Sequence, residues 1–174
     1  MRAAGRAIAY LVSRVRAYSD PVGFARRLGV QVGSDCRILC NPMVAFGSEP
    51  YLVSIGDHVT VTAGVHFITH DGGVWVFRRE DPEIDVFGRI RIGDNVFIGL
   101  GATLMPGVSV GDNCVIGAGA VVTRDIPSDC VAVGVPARPL RSIAEYRDAV
   151  EARGVRIRSL GDAEKREYLL KHLP

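Results

Sequence analysis

The chain has 174 residues, a formal net charge of +2 and 48% hydrophobic residues, which is the composition of an ordinary globular protein. This balance argues against a disordered chain and against a broad nucleic-acid surface, and no apolar stretch approaches the roughly 20 residues that cross a bilayer. We therefore expect one domain with short appendages.

The cysteines and the amino terminus bear on the cellular compartment. No two cysteines form a CxxC pair, and the short apolar run near the start is a poor signal peptide. We expect a cytoplasmic protein whose thiols are reduced and structural. The four cysteines are Cys36, Cys40, Cys114 and Cys130.

The first 29 residues are predicted to be a helical region that packs against or caps the rest. Ile8, Leu11, Val12 and Val15 follow the i, i+3, i+4, i+7 spacing of an amphipathic helix, and Pro21 is expected to end that pattern. Its arginines suit a solvated face, although contact with a membrane surface or an anionic substrate is an alternative.

A six-residue repeat dominates the second half of the chain. Six matches neither the helical period of 3.6 nor the alternation of a long strand, so it predicts short strands separated by regular corners. Three hexads would make one triangular coil, and stacked coils would form a parallel sheet on each face. The repeating aliphatic residues are Ile92, Ile98, Leu104, Val110, Ile116 and Val122.

An earlier block repeats this theme less regularly. Ile92 follows Ile55 by 37 positions, one more than six hexads, so residues 71–89 cannot continue the coils in one register. We expect an external loop there, either a functional flap or a structural insertion. The earlier repeat positions are Val32, Ile38, Ile55, Val61 and Phe67.

Residues 141–174 are predicted to form a helical cap at the carboxyl end. The segment follows Pro139, and Asp162–Leu173 has the character of a last helix. An end cap of this kind would protect the final coil.

The segment from Ile92-Gly-Asp-Asn through Val110-Gly-Asp-Asn to Ile126-Pro127 resembles the hexapeptide-repeat acyltransferases, and Val133–Arg138 resembles their terminal motif. Among them it looks most like the maltose, galactoside and capsular-polysaccharide O-acetyltransferases. The resemblance implies an all-β solenoid, a left-handed parallel β-helix over residues 30–140. It also implies a homotrimer with active sites between subunits and acetyl-CoA as cosubstrate.

The resemblance places the catalytic histidine at His70. A sugar hydroxyl is a poor nucleophile at neutral pH, and an imidazole of ordinary pKa near 6.5 can accept its proton as attack on the thioester begins. A carboxylate or a backbone carbonyl is needed to orient the ring, and Glu49 and Asp71 are the local carboxylate candidates. Direct transfer needs no acyl-enzyme, so a covalent route through Cys40 or Cys36 is a minor alternative.

Further residues are assigned to substrate and cofactor by the same resemblance. Asn41 stands near the position of a substrate-contacting asparagine, and Trp75 could stack on a sugar from the loop or anchor its own segment. Small residues would admit the pantetheine arm, and the arginines would meet the CoA phosphates, with Arg124 in place of a frequent lysine. The cofactor candidates are Gly99, Gly117, Ala118, Gly119, Ala120, Thr123, Arg124 and Arg138.

The favoured function is acetyl-CoA-dependent O-acetylation of a sugar or polysaccharide precursor, without a metal or a nucleic-acid partner. N-acetylation of an amino sugar or another small amine stays open. A trimeric zinc carbonic anhydrase would need three histidines from adjacent subunits, and the later coils lack partners for His58, His66 and His70. A nonenzymatic scaffold is disfavoured by the intact His70, Arg124 and Arg138.

Overall fold

The computed structural model describes residues 17–173. The predicted helix over Ile8–Val15 lies outside these residues. Within the part described, the structure contains thirteen strands, four α-helices and two short 3-10 helices, and residues 17–19 are also helical. The strands are β1 (Gln31–Val32), β2 (Arg37–Ile38), β3 (Val53–Ile55), β4 (Thr60–Val61), β5 (His66–Phe67), β6 (Ile90–Ile92), β7 (Phe97–Ile98), β8 (Thr103–Leu104), β9 (Ser109–Val110), β10 (Val115–Ile116), β11 (Val121–Val122), β12 (Cys130–Val133) and β13 (Arg138–Ser142). The helices are α1 (Pro21–Leu28), α2 (Pro42–Ala45), α3 (Ile143–Arg153) and α4 (Asp162–His172), with 3-10 helices at Pro50–Leu52 and Gly72–Phe77.

Pro21 begins a new helix, and the preceding helical residues 17–19 end before it, as the sequence predicts. It occupies the first turn of α1, where its missing N–H is not needed, and the Asp20 carboxylate accepts a hydrogen bond from Gly23 N–H at 2.8 Å. The helix ends at Gly29, whose φ of 105° suits glycine.

The strands form three sheets that the chain visits in turn. The first sheet has the order β1-β3-β6-β9, the second β2-β4-β7-β10-β12-β13, and the third β5-β8-β11. All pairings are parallel except that of β12 with β13. Because strands of successive coils lie side by side, the chain winds as a three-sided coil.

The repeating aliphatic side chains fill the interior of this coil. All six positions of the later repeat are at most 4% exposed, from Ile92 to Val122. Equivalent positions pair across coils, as when Val61 lies beside Ile98 and Ile98 beside Ile116. The prediction that the repeating aliphatic residue of each hexad points into the interior is therefore confirmed for the later repeat.

Three kinds of corner join the sheets. The polar corner, from the first sheet to the second, comprises residues 33–36, 56–59, 93–96 and 111–114. The glycine corner, from the second to the third, comprises 62–65, 99–102 and 117–120. The loop corner, from the third to the first, comprises 68–89, 105–108 and 123–126.

The polar corner is held by a ladder of side chains between coils. Asn95 and Asn113 both have φ of 55°, a left-handed conformation that asparagine tolerates. Asn95 donates to Asn113 at 2.9 Å, and Asn113 donates to Asp129 at 2.8 Å. His58 bonds to Asn95 at 2.8 Å in the same row.

A hairpin at the carboxyl end departs from the predicted architecture. Strand β13 runs antiparallel to β12, and the reversal includes Gly134, whose φ is 95°. Helix therefore begins at Ile143, slightly later than the predicted residue 141.

The chain divides into two compact units. One ends at Ile143 and contains all the strands, and the other begins at Ala144 and contains most of α3 and all of α4. Among residues 17–173, no helix has both the length and the apolar character that crossing a membrane requires.

Candidate active site

The predicted excursion leaves the coil at the loop corner. Strand β5 ends at Phe67 and β6 begins at Ile90, while Ile55 and Ile92 remain in register on the first sheet. Asp71 N–H donates to Val86 O, and Gly88 N–H donates to Thr69 O, both at 2.9 Å. These hydrogen bonds close the neck of the loop and fix the backbone on either side of His70.

His70 lies at this neck and contacts Glu49. Its Nδ1 is 2.9 Å from Glu49 Oε2, and the same oxygen accepts a hydrogen bond from the Thr69 hydroxyl at 2.8 Å. The His70 hydrogen bond holds the pKa of the Glu49 carboxyl below its usual range, and Thr69 acts in the same direction, whereas burial opposes both. An ionised carboxylate only accepts, so in the neutral imidazole Nδ1 carries the proton and Nε2 has the free lone pair.

The imidazole remains open on one side. Its side chain is 42% exposed, against 16% for Glu49. Phe87 flanks the ring edge-on, with ring centroids 6.3 Å apart. Within residues 17–173, Nε2 has no hydrogen-bond partner, so the basic nitrogen is available to a substrate.

The first coil explains how Glu49 reaches His70. In that coil a segment from Leu39 to Leu52 replaces the third-sheet strand and leads to β3. Glu49 therefore lies at the loop corner one coil before His70. The buried Phe46 stacks on Phe67 with centroids 4.9 Å apart, which anchors this segment beneath the site.

The other candidates for orientation and substrate contact lie outside the hydrogen bonds between His70 and Glu49. Asp71, the alternative carboxylate, accepts from Gly73 N–H at 2.8 Å and has no hydrogen bond to the imidazole among the described side chains. Asn41 accepts from Met43 N–H at 3.0 Å and thereby caps α2. Trp75 is 75% exposed, so in this chain it does not anchor its segment.

Sequence reasoning missed Thr69. It is 1% exposed and donates to Glu49, which makes it part of the polar network around the imidazole. Its position next to His70 is the only sequence signal, and that signal does not say where its side chain points.

The candidate cofactor residues divide between two edges of the third sheet. Gly117 to Ala120 form the last glycine corner, where Gly119 has φ of 68° and open space around its missing side chain. Gly99 has a structural role, since a Cβ there would lie 2.6 Å from the Ala118 nitrogen. Ala118 is exposed, whereas Ala120 is fully buried.

Thr123 and Arg124 lie at the other edge, in the loop corner that also carries His70 two coils earlier. Both side chains are exposed. Arg138 begins β13, and the Ala137 N–H donates to Val121 O at 2.7 Å, which ties the Arg138 segment to the strand preceding Thr123.

The cysteines are poorly suited to nucleophilic catalysis. Burial raises the pKa of the Cys40 thiol to about 11, and burial also raises the pKa of Cys36. Since the thiolate is the reactive form, both shifts work against a covalent route.

The other histidines have separate surroundings. His58 belongs to the polar ladder, and His66 lies in β5 beside Thr103. No group of three or more His, Cys, Asp or Glu side chains in residues 17–173 is arranged to hold a metal ion.

Comparisons with known proteins decide the family. Residues 89–124 match the model described as "Hexapeptide repeat of succinyl-transferase". Protein CapG of Staphylococcus aureus is 55% identical over 145 residues, covering 83% of this chain and 84% of CapG. The chain belongs to the hexapeptide-repeat acyltransferase family. This acyltransferase is also similar to the galactoside O-acetyltransferase of Escherichia coli strain K12, at 38% identity over 71% of this chain and 59% of that protein.

A solved structure agrees with this assignment. A galactoside acetyltransferase in complex with coenzyme A superposes with a TM-score of 0.54 and 27% identity, covering 78% of the acyltransferase described here and 83% of that chain. The resemblance read from the repeat is therefore confirmed, and the protein is an enzyme that transfers acyl groups.

Proposed function

We propose that this acyltransferase moves the acetyl group of acetyl-CoA to a hydroxyl of a sugar or polysaccharide precursor, with His70 as general base. The observation that supports it best is the hydrogen bond of His70 Nδ1 to the largely buried Glu49 carboxylate, which leaves Nε2 open to the acceptor. We assign Glu49, rather than Asp71, as the group that orients the ring.

The transfer is direct. As the acceptor hydroxyl approaches the thioester carbonyl, Nε2 takes its proton and the oxygen forms the new C–O bond. The C–S bond breaks, and the imidazolium returns the proton to the departing CoA thiolate. Glu49 stabilises the imidazolium between these two steps, because the positive charge forms beside its carboxylate.

We place the cosubstrate along the third sheet. The glycine corner at Gly117–Ala120 offers a surface without bulky side chains for the pantetheine arm. Thr123, Arg124 and Arg138 are exposed and supply donors for phosphates. Asn41 and Trp75 remain candidates for acceptor contact, and the described side chains leave Trp75 free to stack on a sugar.

The proposed catalytic domain is a left-handed β-helix over residues 30–140 that assembles as a cytoplasmic homotrimer with sites between subunits. Exposed apolar side chains on the loop support an intersubunit contact, since isolated surfaces seldom present so many together. Residues 1–29 and 141–174 would be helical extensions. The exposed loop residues are Trp75, Val76, Phe77, Val86 and Phe87.

The first experiment screens CoA release against sugars, nucleotide sugars and amines, and compares wild type with His70→Ala. The proposal predicts a loss of about 10²- to 10⁴-fold in kcat on a hydroxyl acceptor, typical of a lost general base. His66→Ala is the matched control, because His66 lies in β5, four residues before His70, and has no hydrogen bond to Glu49 among the described residues. Retained turnover of an amine by His70→Ala would favour the N-acetyltransferase alternative.

A second experiment tests the shared site. The His70→Ala and Arg124→Ala variants are each expected to have low activity. If a site uses His70 from one subunit and Arg124 from another, refolding the two variants together should restore activity in mixed trimers. Absence of restoration in trimers of proven mixed composition would contradict a site between subunits.

A further inference from the structure

A small cavity opens on the outer face of the first sheet. Its volume is about 200 Å³, and its polar lining consists of Gln31, Tyr51, Ser54, Arg89 and Arg91. Ligand pockets for drug-sized molecules start at about 300 Å³, so this one is sized for a single group of a larger molecule.

The register of the sheet explains why these side chains meet. Gln31 pairs with Ser54, and Ser54 pairs with Arg91, in three adjacent strands. Neighbours on either side of Ser54 and Arg91 are buried, so alternation turns both side chains outward. Arg89 precedes Arg91 by two residues and therefore lies on the same face.

The cavity has an excess of positive charge. Neither the Arg89 nor the Arg91 guanidinium has an ion pair or a hydrogen bond with any side chain or carbonyl in residues 17–173, whereas Arg78 in the nearby loop is paired with Asp85. On the next strand of the sheet, Ser109 pairs with Arg91, and its N–H donates to the Asp125 carboxylate at 2.8 Å. The negative charge of Asp125 therefore lies one strand away from Arg91. Two unneutralised guanidiniums in one cavity favour an anion.

Both walls of the cavity begin beside the residues that contact His70. Tyr51 follows Glu49 by two residues, and Arg89 follows Phe87, the bridge partner of His70, by two residues. Two residues span at most about 7 Å of chain. The cavity and the imidazole are therefore joined by two short stretches of chain, which places them in the same region of the molecule.

The wall that carries Arg89 is firmly placed. A Cβ at Gly88 would lie 2.2 Å from the Gly107 nitrogen, so the backbone there packs directly on the next coil. The backbone that carries Arg89 is therefore held in place by the neighbouring coil.

Building on the function proposed above, we propose that the acceptor carries a phosphate group and that this cavity binds it through Arg89 and Arg91. A phosphate dianion offers three acceptor oxygens and balances two guanidiniums, while the hydroxyls of Tyr51 and Ser54 and the amide of Gln31 add donors. A sugar 1-phosphate and a nucleoside diphosphate sugar share this chemistry. The acceptor hydroxyl would then be delivered to His70 by the anchored phosphate.

The test compares four acceptors at saturating acetyl-CoA: a neutral hexose, the hexose 1-phosphate, a nucleoside diphosphate hexose and the corresponding uronic acid. We expect kcat/KM for at least one phosphorylated acceptor to exceed that of the neutral hexose by about 10- to 100-fold, the effect of one strong hydrogen bond to a charged group. The better of the two phosphorylated acceptors identifies the source of the phosphate. Equal efficiency with the neutral hexose, or preference for the uronic acid, would overturn the proposal.

Variants separate this cavity from the cosubstrate site. Arg89→Ala and Arg91→Ala should raise KM for the phosphorylated acceptor about 10- to 100-fold, with kcat and the KM for acetyl-CoA little changed and with Arg91→Lys in between. Arg153→Ala, an exposed arginine in α3, is the matched control. A rise in KM for acetyl-CoA instead would assign the cavity to CoA and contradict the proposal.

Binding of the hexose 1-phosphate and of the nucleoside diphosphate hexose, measured by calorimetry on the full chain, makes the test independent of turnover. Binding that is lost in Arg91→Ala but kept in His70→Ala supports the cavity. If the wild-type protein binds neither compound, the proposal is overturned. Loss of turnover in His70→Ala on every acceptor, without any preference for phosphate, would leave the general-base function standing and remove only this inference.

Discussion

Replacing Glu49 by glutamine should slow catalysis without weakening acceptor binding. The substitution keeps an oxygen that can accept from His70 Nδ1 but removes the charge that stabilises the imidazolium. A hydrogen bond between charged groups contributes about 1.5–3 kcal/mol, and each 1.4 kcal/mol is about tenfold in rate. Because the imidazole is 42% exposed, solvent screening favours the lower end, a fall in kcat of about 10- to 30-fold.

The assay is steady-state CoA release at saturating acetyl-CoA, with the melting temperature recorded for each variant. Asp71→Asn is the matched control, since asparagine also caps a helix and Asp71 lies outside the imidazole network. Its kcat should change by less than about threefold, within the range of surface substitutions. Full kcat in Glu49→Gln, or a larger loss in Asp71→Asn, would refute the assigned role of Glu49.

The Glu49 carboxylate should make the stability of the folded protein depend on pH in the acid range. Its pKa is lower in the folded protein, so its stabilising contribution is complete above the ordinary pKa of glutamate and is lost as pH falls through the lowered value. The difference in melting temperature between wild type and Glu49→Gln should therefore shrink as the pH is lowered below about 4.3. A difference that grows in acid would contradict the sign of the shift.

Three further predictions concern the coil itself. Ile98→Ala removes a fully buried side chain and should cost about 2–5 kcal/mol in the free energy of unfolding, measured by urea denaturation; a loss below 1 kcal/mol would be inconsistent with the close-packed interior. Gly99→Ala should lower the free energy of unfolding by about 3 kcal/mol, because the added Cβ would lie 2.6 Å from a backbone nitrogen. Gly101→Ala should lower it by about 1 kcal/mol, because the site has open space and only its φ of 68° is unfavourable for alanine. At pH 8, Cys40 and Cys114, whose pKa values desolvation raises to about 11, should react slowly with iodoacetamide in the native protein and faster after denaturation; rapid native labelling would contradict the raised pKa values.

The sequence predicted the coil because its rule is local and repeated. The aliphatic residue that recurs every six positions is buried in each coil, and a break in phase between Ile55 and Ile92 reveals the loop between them. The same regularity fails in the first coil, where residues 39–52 replace a strand. It also fails at Gly134, where a single left-handed residue helps to reverse the chain.

The site was only partly predictable for a related reason. A histidine after the early hexads could be singled out, yet the choice between Glu49 and Asp71 as its partner stayed open. Asp71 is adjacent in sequence, whereas Glu49 is 21 residues away and arrives only because two coils stack at one corner. Arg89 and Arg91 carried no motif, and their common cavity depends on strand register.

Chemical rescue of His70→Ala by free imidazole tests the general-base role most directly. The variant should lose about 10²- to 10⁴-fold in kcat on a hydroxyl acceptor, and added imidazole should restore part of that loss in proportion to its neutral form. Normal turnover by the variant without imidazole would show that another group removes the acceptor proton.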